Sequence, residues 1–164
     1  SGRAVSQGLT FHHGIYMQRP DVGAIVHSHG FWMTAQAAFG RPPRMFNNLN
    51  TFYFERTCIS PNDDFAAIGP ALRPADMAII IPWHGAITVG KDIGEAAALH
   101  VSLDYAARLD VTLAADAPVM PKDICYEMRA LVESTGYLAL TWELVRRKGR
   151  DAFDGQRVVP RLAA

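Results

Sequence analysis

The chain has 164 residues, of which 49% are hydrophobic and 20% are charged, and this predicts one domain around a single hydrophobic core. Its 16 basic and 16 acidic residues cancel, which argues against nucleic acid or a membrane surface as a partner. The sequence has only two cysteines, no apolar stretch long enough to span a bilayer, and no signal-peptide pattern at its start. We therefore expect a soluble, cytoplasmic protein.

The first half of the chain predicts two short helices with a strand between them. Residues 7–18 mix apolar and polar positions in helical spacing. Pro20 ends this helix, because the residue before a proline disfavours the helical conformation. The apolar run 22–26 predicts a strand that continues to residue 29, and residues 31–39 predict a second helix. The aromatic segment 51–54 favours another extended strand.

The second half begins with a turn at residues 61–64, followed by a short helix that we expect to stop at Gly69-Pro70. Two strands are predicted over residues 77–82 and 86–89, on either side of a His-Gly corner. The first of these strands is a continuous apolar run that ends in proline.

A long helix is the clearest predicted element. Asp92 followed by Glu95 is a capping-box pattern, and helical spacing continues from there to about Leu113. Two shorter helices are predicted over residues 122–133 and 137–147.

Two histidines stand together at the end of the first predicted strand. Residues two apart in a strand point to the same side, so His27 and His29 can reach one cation. His84 follows another apolar run in a matching position. Three protein ligands with an open position are typical of a catalytic metal site, whereas structural sites are usually closed. The alternative interpretation is that each histidine is simply a hydrogen-bonded residue at a strand end.

The three other histidines are interpreted as packing or surface residues. His12 and His13 are adjacent, and neighbouring helix positions do not share a face. His100 lies within the long predicted helix.

Several motifs resemble the class II aldolase and adducin family. They are His12-x-x-x-Tyr16, Arg19-Pro20-Asp21, His27-Ser28-His29, and His84-Gly85 with Gly90. The resemblance implies an α/β fold, a three-layer α/β/α sandwich with a mostly antiparallel central sheet. We predict that it forms a single domain over residues 1–149, followed by a tail at 150–164. The family's amino-terminal part, with its phosphate-binding turn, lies outside this sequence, so either a segment precedes residue 1 or the fold is trimmed.

The resemblance also implies a divalent metal ion on His27, His29 and His84, in homotetramers with active sites between subunits. The ion would act as a Lewis acid on oxygens of a small-molecule carboxylate or carbonyl substrate. Imidazole ligands accept zinc, manganese, iron or cobalt, so the ligand type does not choose the metal.

One departure from the family changes the expected chemistry. Its sugar-phosphate aldolases carry a general acid/base glutamate four residues before the first motif histidine, and the matching residue here is Gly8. Gln7 can offer only hydrogen bonds or a bound water, and Ser6 stands at a matching substrate-binding serine. We therefore favour a metal-dependent lyase that decarboxylates a hydroxylated aromatic or heteroaromatic acid.

Other candidate site residues are aromatic or amide side chains. Phe31, Asn48 and Tyr53 are predicted substrate contacts, although such aromatics commonly fill a core or an interface instead. The resemblance suggests Tyr137 as a proton donor to a neighbouring subunit's site, with Tyr126 and Tyr53 as rivals.

Three further functions remain open from the sequence. The first is an aldolase acting on an unphosphorylated hydroxy or keto acid. The second is an Fe(II)-dependent oxidative decarboxylase using the same histidines. The third is a non-catalytic scaffold similar to the adducin head, which would not need three ligand histidines.

Overall fold

A mixed four-stranded sheet forms the centre of the fold in the computed structural model, which describes residues 8–154. The strands lie in the order β1-β4-β3-β2. Their bounds are Ala24–Ser28 for β1, Thr57–Ile59 for β2, Ala78–Ile81 for β3 and Gly85–Gly90 for β4. The β1–β4 and β3–β4 pairs are antiparallel and the β2–β3 pair is parallel, so the sheet is mostly antiparallel, as the resemblance implied.

Helices connect and cover the strands. Their bounds are Leu9–Gln18 for α1, Phe31–Ala37 for α2, Phe65–Ala71 for α3, Ile93–Thr112 for α4, Lys122–Ser134 for α5 and Tyr137–Asp154 for α6. A 3₁₀ helix spans Asn48–Tyr53. Within residues 8–154, no helix combines the length and the apolar character needed to cross a membrane.

The side chains of β3 alternate between two hydrophobic clusters, as expected for a strand buried on both faces. Ile80 packs in one cluster with Leu99 and Leu103 of α4. Ile79 packs in the other with Ile15 of α1 and Ile68 of α3. All six side chains are at most 1% exposed, so burial on both faces fixes the register of the sheet.

The predicted cap of α4 is present. The Asp92 side chain accepts a hydrogen bond from the Glu95 backbone N–H at 2.8 Å, and the Glu95 carboxylate accepts one from the Lys91 N–H at 2.7 Å. These bonds satisfy backbone donors at the start of the helix, which explains why the chain turns sharply after β4.

The Arg19-Pro20-Asp21 motif has a structural role. The Arg19 guanidinium pairs with Asp21 at 2.6 Å and donates to the carbonyl oxygens of Arg73 and Asp76. Since Arg19 is buried, these contacts hold the corner between α1 and β1 against the chain that enters β3.

Two sequence predictions about local structure were wrong. The segment 51–54, predicted as a strand, lies mostly in the 3₁₀ helix, because the Asn47 side chain caps its first turn and the Thr51 hydroxyl donates to the Asn48 carbonyl. The short helix α3 does not stop at Gly69-Pro70 but continues to Ala71. The Gln18 side chain donates to the carbonyl groups of Gly69 and Leu72, which satisfies acceptors at this helix end.

The last helix also differs in length from its prediction. α6 continues past Gly149 to Asp154, so the segment predicted as a tail begins in helical conformation. Its remaining residues lie outside the described part of the chain.

Candidate metal centre

Three imidazole rings meet at the edge of the sheet. His27 lies in β1, His29 directly follows the end of that strand, and His84 lies in the turn between β3 and β4. The Nε2 atom of His29 lies 3.0 Å from that of His27 and 3.0 Å from that of His84. The Nε2 atoms of His27 and His84 are 3.2 Å apart. The structure therefore brings together the three histidines that the sequence singled out as ligands.

The tautomer of His27 is fixed by its other ring nitrogen. Nδ1 lies 3.1 Å from the Ala86 carbonyl oxygen. A carbonyl only accepts, so Nδ1 donates and Nε2 of the neutral ring carries a lone pair. Burial lowers the pKa of His27, which favours this neutral form. A histidine ligand in metal sites is usually held in the same way, by a hydrogen bond from its second ring nitrogen.

The spacing of the three Nε2 atoms fits a divalent cation. The three short Nε2–Nε2 distances cannot all be hydrogen bonds. In a neutral imidazole each Nε2 is either a donor or an acceptor, so at least one of the three pairs would join two donors or two acceptors. Ligand atoms held about 2.0–2.1 Å from one ion are about 3.0–3.4 Å apart, which agrees with the observed distances. Among the histidine, cysteine, aspartate and glutamate side chains of residues 8–154, one group of three lies close enough to share an ion, and it consists of His27, His29 and His84.

A close backbone contact places His84 beside β1. Gly85 packs against Ser28 and His29, and a Cβ atom at this position would overlap the Ser28 carbonyl oxygen. The turn is strained one residue before the ligand, since Trp83 has a left-handed φ of +58°. Thus glycine at position 85 is needed for His84 to reach the two strand histidines.

A hydrogen-bond network that includes Ser28, the residue between His27 and His29, supports these two histidines. His100 Nε2 lies 2.7 Å from the Ser28 hydroxyl, and His100 Nδ1 lies 3.0 Å from the Thr88 hydroxyl. Because Thr88 donates to the Ala96 carbonyl, it accepts from His100 Nδ1, and Ser28 then donates to Nε2. Burial lowers the pKa of His100 to about 4, consistent with a neutral ring. The network anchors Ser28, which lies between the two strand ligands.

The histidines open into a cavity of about 570 Å³. It is lined by Gly8, Phe11, His12, Ile25, Val26, His27, His29, Asp63 and His84. His12 is half-buried in this wall whereas His13 is exposed, so the two adjacent histidines do face different surroundings. Gly8, the residue at the family's glutamate position, lines the cavity without contributing a side chain.

Asp63 is the carboxylate among the described residues of this cavity, and no motif in the sequence indicates it. Its Oδ2 atom lies 3.7 Å from His84 Nε2. The residue belongs to the turn before α3, where no periodicity or motif relates it to the distant histidines. Phe11 was also missed as a wall residue, although its position next to His12 on α1 was visible.

The predicted substrate-binding residues occupy other places. Phe31 and Asn48 are exposed, and neither lines the histidine cavity. Tyr53 is 1% exposed and its hydroxyl donates to the Leu99 carbonyl, so it is a core residue and its predicted substrate contact is not supported. Ser6 and Gln7 lie outside the described residues.

Tyr137 stands at the start of α6, on another part of the surface. Its ring stacks on Phe52 at a centroid distance of 6.0 Å and does not line the histidine cavity of its own chain. A role in a neighbouring subunit's site stays a prediction. The rival candidate Tyr126 donates a hydrogen bond to Glu55 at 2.5 Å, also away from the histidines.

Comparison with known proteins points to one family and several activities. The chain is 30% identical over 117 residues to 5-methylthioribulose-1-phosphate/5-deoxyribulose-1-phosphate aldolase of Rhodospirillum rubrum, covering 64% of this chain and 50% of that protein. It is 33% identical over 131 residues to Decarboxylase NovR of Streptomyces niveus, covering 75% and 47%. The chain thus spans about half the length of these curated relatives.

The fold also matches a solved structure. L-fuculose 1-phosphate aldolase from Glaciozyma antarctica superposes with a TM-score of 0.77 at 23% identity, over 92% of this chain and 63% of that one. The family model of the Class II Aldolase and Adducin N-terminal domain matches residues 1–111. By this match, which includes all three clustered histidines, the chain belongs to the class II aldolase and adducin family.

Proposed function

We propose that this chain is the metal-binding part of a lyase that cleaves a carbon–carbon bond next to a metal-held oxygen. We favour decarboxylation of a hydroxylated aromatic or heteroaromatic acid. The observation that carries the proposal is the convergence of three imidazole Nε2 atoms, 3.0–3.2 Å apart, on an open cavity. The metal is zinc, manganese, iron or cobalt, all of which imidazole accepts.

The residues present divide the work of such a site between them. A bound divalent cation supplies Lewis acidity, which stabilises the negative charge that develops when carbon dioxide leaves. His27, His29 and His84 would hold that ion, and the Ala86 carbonyl keeps His27 in the ligand tautomer. The apolar side chains of Phe11 and Ile25 in the wall suit an aromatic ring.

Gly8 is the reason for preferring decarboxylation to aldol cleavage. Aldol cleavage needs a base for the substrate proton, and the family's sugar-phosphate aldolases use a glutamate at this position. Glycine lines the cavity instead and cannot transfer a proton. Decarboxylation needs no such base, because the electron pair of the broken carbon–carbon bond stays on the ring carbon, which then takes up a proton from water. The relatives do not choose between the reactions, since one is named an aldolase and the other a decarboxylase.

The homotetramer implied by the family remains part of this proposal. Exposed apolar side chains on α4 and α6 support a subunit interface there. They include Val101, Tyr105, Leu140 and Leu144, which line one groove of about 620 Å³.

The proposal is tested by incubating the protein with Mn²⁺, Fe²⁺ or Zn²⁺ and a panel of hydroxybenzoates, and measuring released carbon dioxide. We expect metal-dependent release that His29→Ala abolishes. His13→Ala is the matched control, because His13 is an exposed histidine of α1 outside the cavity wall, and it should retain full activity.

Each alternative function has its own outcome in this assay. An aldehyde or keto acid as product would identify an aldolase. A strict requirement for oxygen and iron would identify an oxidative decarboxylase. Carbon dioxide release that survives His29→Ala would show that the metal ion takes no part in the reaction. If the protein neither binds metal nor forms product, a scaffold would be favoured.

A further inference from the structure

We propose that Asp63 is the acidic member of the cation site. Its carboxylate strengthens divalent-cation binding from the turn before α3, whereas the family's carboxylate position, just before α1, is occupied by Gly8. This inference rests on the proposed function for the presence of a cation. It adds a residue from an element that none of the family motifs contains.

The position of Asp63 is the first argument. The carboxylate Oδ2 atom lies 3.7 Å from His84 Nε2, slightly beyond the spacing of two ligands on one ion. The side chain is 49% exposed, so a small rotation can bring it to the cation without disturbing the core. In the present orientation it already faces the ligand atom of His84.

The surroundings of Asp63 are the second argument. The side chains on either side of it form hydrogen bonds within the turn. The Asn62 side chain accepts from the Asp64 N–H at 2.9 Å, and the Asp64 side chain accepts from the Ala66 N–H at 3.2 Å. These two bonds hold the backbone on both sides of Asp63. Within residues 8–154, no lysine or arginine forms an ion pair with the Asp63 carboxylate, which lies beside His84 and also interacts electrostatically with His27.

Charge balance is the third argument. Three neutral imidazoles leave both charges of a divalent ion uncompensated. Among the described residues that line the cavity, Asp63 is the one acidic side chain. Carboxylates near a metal site are typically worth about 10–100-fold in metal affinity, even when they act through another ligand. Gly8 cannot provide this charge, so the α3 turn is its source.

The test compares divalent-cation affinity of the wild type, Asp63→Asn and Asp64→Asn by isothermal titration calorimetry with Mn²⁺ and Zn²⁺. Asp63→Asn should bind each ion about 10–100-fold more weakly. Asp64→Asn removes the same charge one residue away, and it should keep wild-type affinity because asparagine also caps helices well. The visible spectrum of bound Co²⁺ should change in Asp63→Asn alone, reporting an altered ligand environment.

The outcomes separate this inference from the proposed function. Equal affinity and equal Co²⁺ spectra in Asp63→Asn and the wild type would overturn the role of Asp63, whatever reaction the protein catalyses. An equal loss in Asp64→Asn would also overturn it, because the effect would then be that of general surface charge. Absence of cation binding in the wild type would overturn both proposals. A failure to decarboxylate the tested acids, with the affinity difference present, would contradict only the proposed reaction.

Discussion

The end of β1 and the turn between β3 and β4 deliver ligands to the same point by different physical means. His27 and His29 leave a regular strand on one side, above a buried network formed by Ser28, His100 and Thr88. His84 stands in a tight turn that is strained at the preceding residue. We call these two parts of the site the strand side (His27 and His29) and the turn side (His84). The strand side is held by side-chain hydrogen bonds to Ser28, whereas the turn side is held by the backbone contact between Gly85 and β1.

This difference shows which part of the site is set by periodicity and which by packing. Strand geometry alone places two histidines on one side of the sheet. The third arrives only because the antiparallel pairing of β1 with β4 places Ser28 opposite Ala86. Gly85, immediately before Ala86, then allows the backbones to approach closely. We expect the turn side to be the more sensitive of the two to backbone substitutions.

Gly85→Ala should have the largest effect on the turn side. The added methyl group would overlap the Ser28 carbonyl oxygen, which cannot move without disturbing the β1–β4 pair. We expect a loss of about 2–3 kcal/mol in the free energy of unfolding, typical of overpacking against a rigid neighbour. Metal affinity should fall as well, because His84 would be displaced from His29.

The measurements are urea unfolding without metal and calorimetric titration with Mn²⁺. Gly149→Ala is the matched control, since a Cβ atom there meets no neighbour and alanine favours a helix interior. It should leave metal affinity unchanged. If Gly85→Ala is as stable as the wild type and binds Mn²⁺ equally well, the close contact does not position His84.

The same contrast explains how much of the molecule the sequence could predict. Helices with a clear cap, such as α4 behind Asp92, and apolar strands such as β3 were predicted well, because their signals are local. The 3₁₀ helix was missed because the side chains of Asn47 and Thr51 satisfy backbone groups that aromatic content alone would assign to a strand.

The candidate site was predicted unevenly for a related reason. The three histidines follow recognisable apolar runs, so the pattern and the family resemblance both indicate them. Asp63 lies in a turn, and only the packing of α3 beside α1 brings it to the cavity. The buried place of Tyr53 likewise depends on its hydrogen bond to Leu99 in a distant helix, which no local pattern specifies.

The buried network under β1 predicts a specific sensitivity to acid. The pKa of His100 is about 4 in the fold, below the value of about 6.5 expected in the unfolded chain. Protonation therefore favours unfolding. The stabilisation is complete above about pH 6.5 and is lost progressively as the pH falls toward 4. Between pH 7 and pH 5 the wild type should lose about 2 kcal/mol through this group.

His100→Gln tests that assignment, because glutamine keeps hydrogen-bonding capacity but does not titrate. The variant should be less stable at pH 7, and its free energy of unfolding should fall less steeply between pH 7 and pH 5 than that of the wild type. Both proteins are measured in excess EDTA, so that metal release from the other histidines makes no contribution. Parallel pH profiles would show that His100 does not cause the acid sensitivity.

The smallest effect is expected at Trp83, where strain and function separate. Its φ of +58° is unfavourable for a bulky residue, and its side chain is 81% exposed, so little burial offsets the strain. Trp83→Asn should raise the free energy of unfolding by about 0.5–1 kcal/mol, because asparagine tolerates this conformation.

Glu55→Asn is the control. Glu55 has the same φ, but its carboxylate contacts Lys122 and Tyr126, so the loss of these contacts should offset the relief of strain there. A Trp83→Asn variant that is less stable than the wild type would contradict the strain argument. A variant that is more stable but less active would mean that the indole contacts substrate or a second subunit, since relief of strain alone does not reduce turnover.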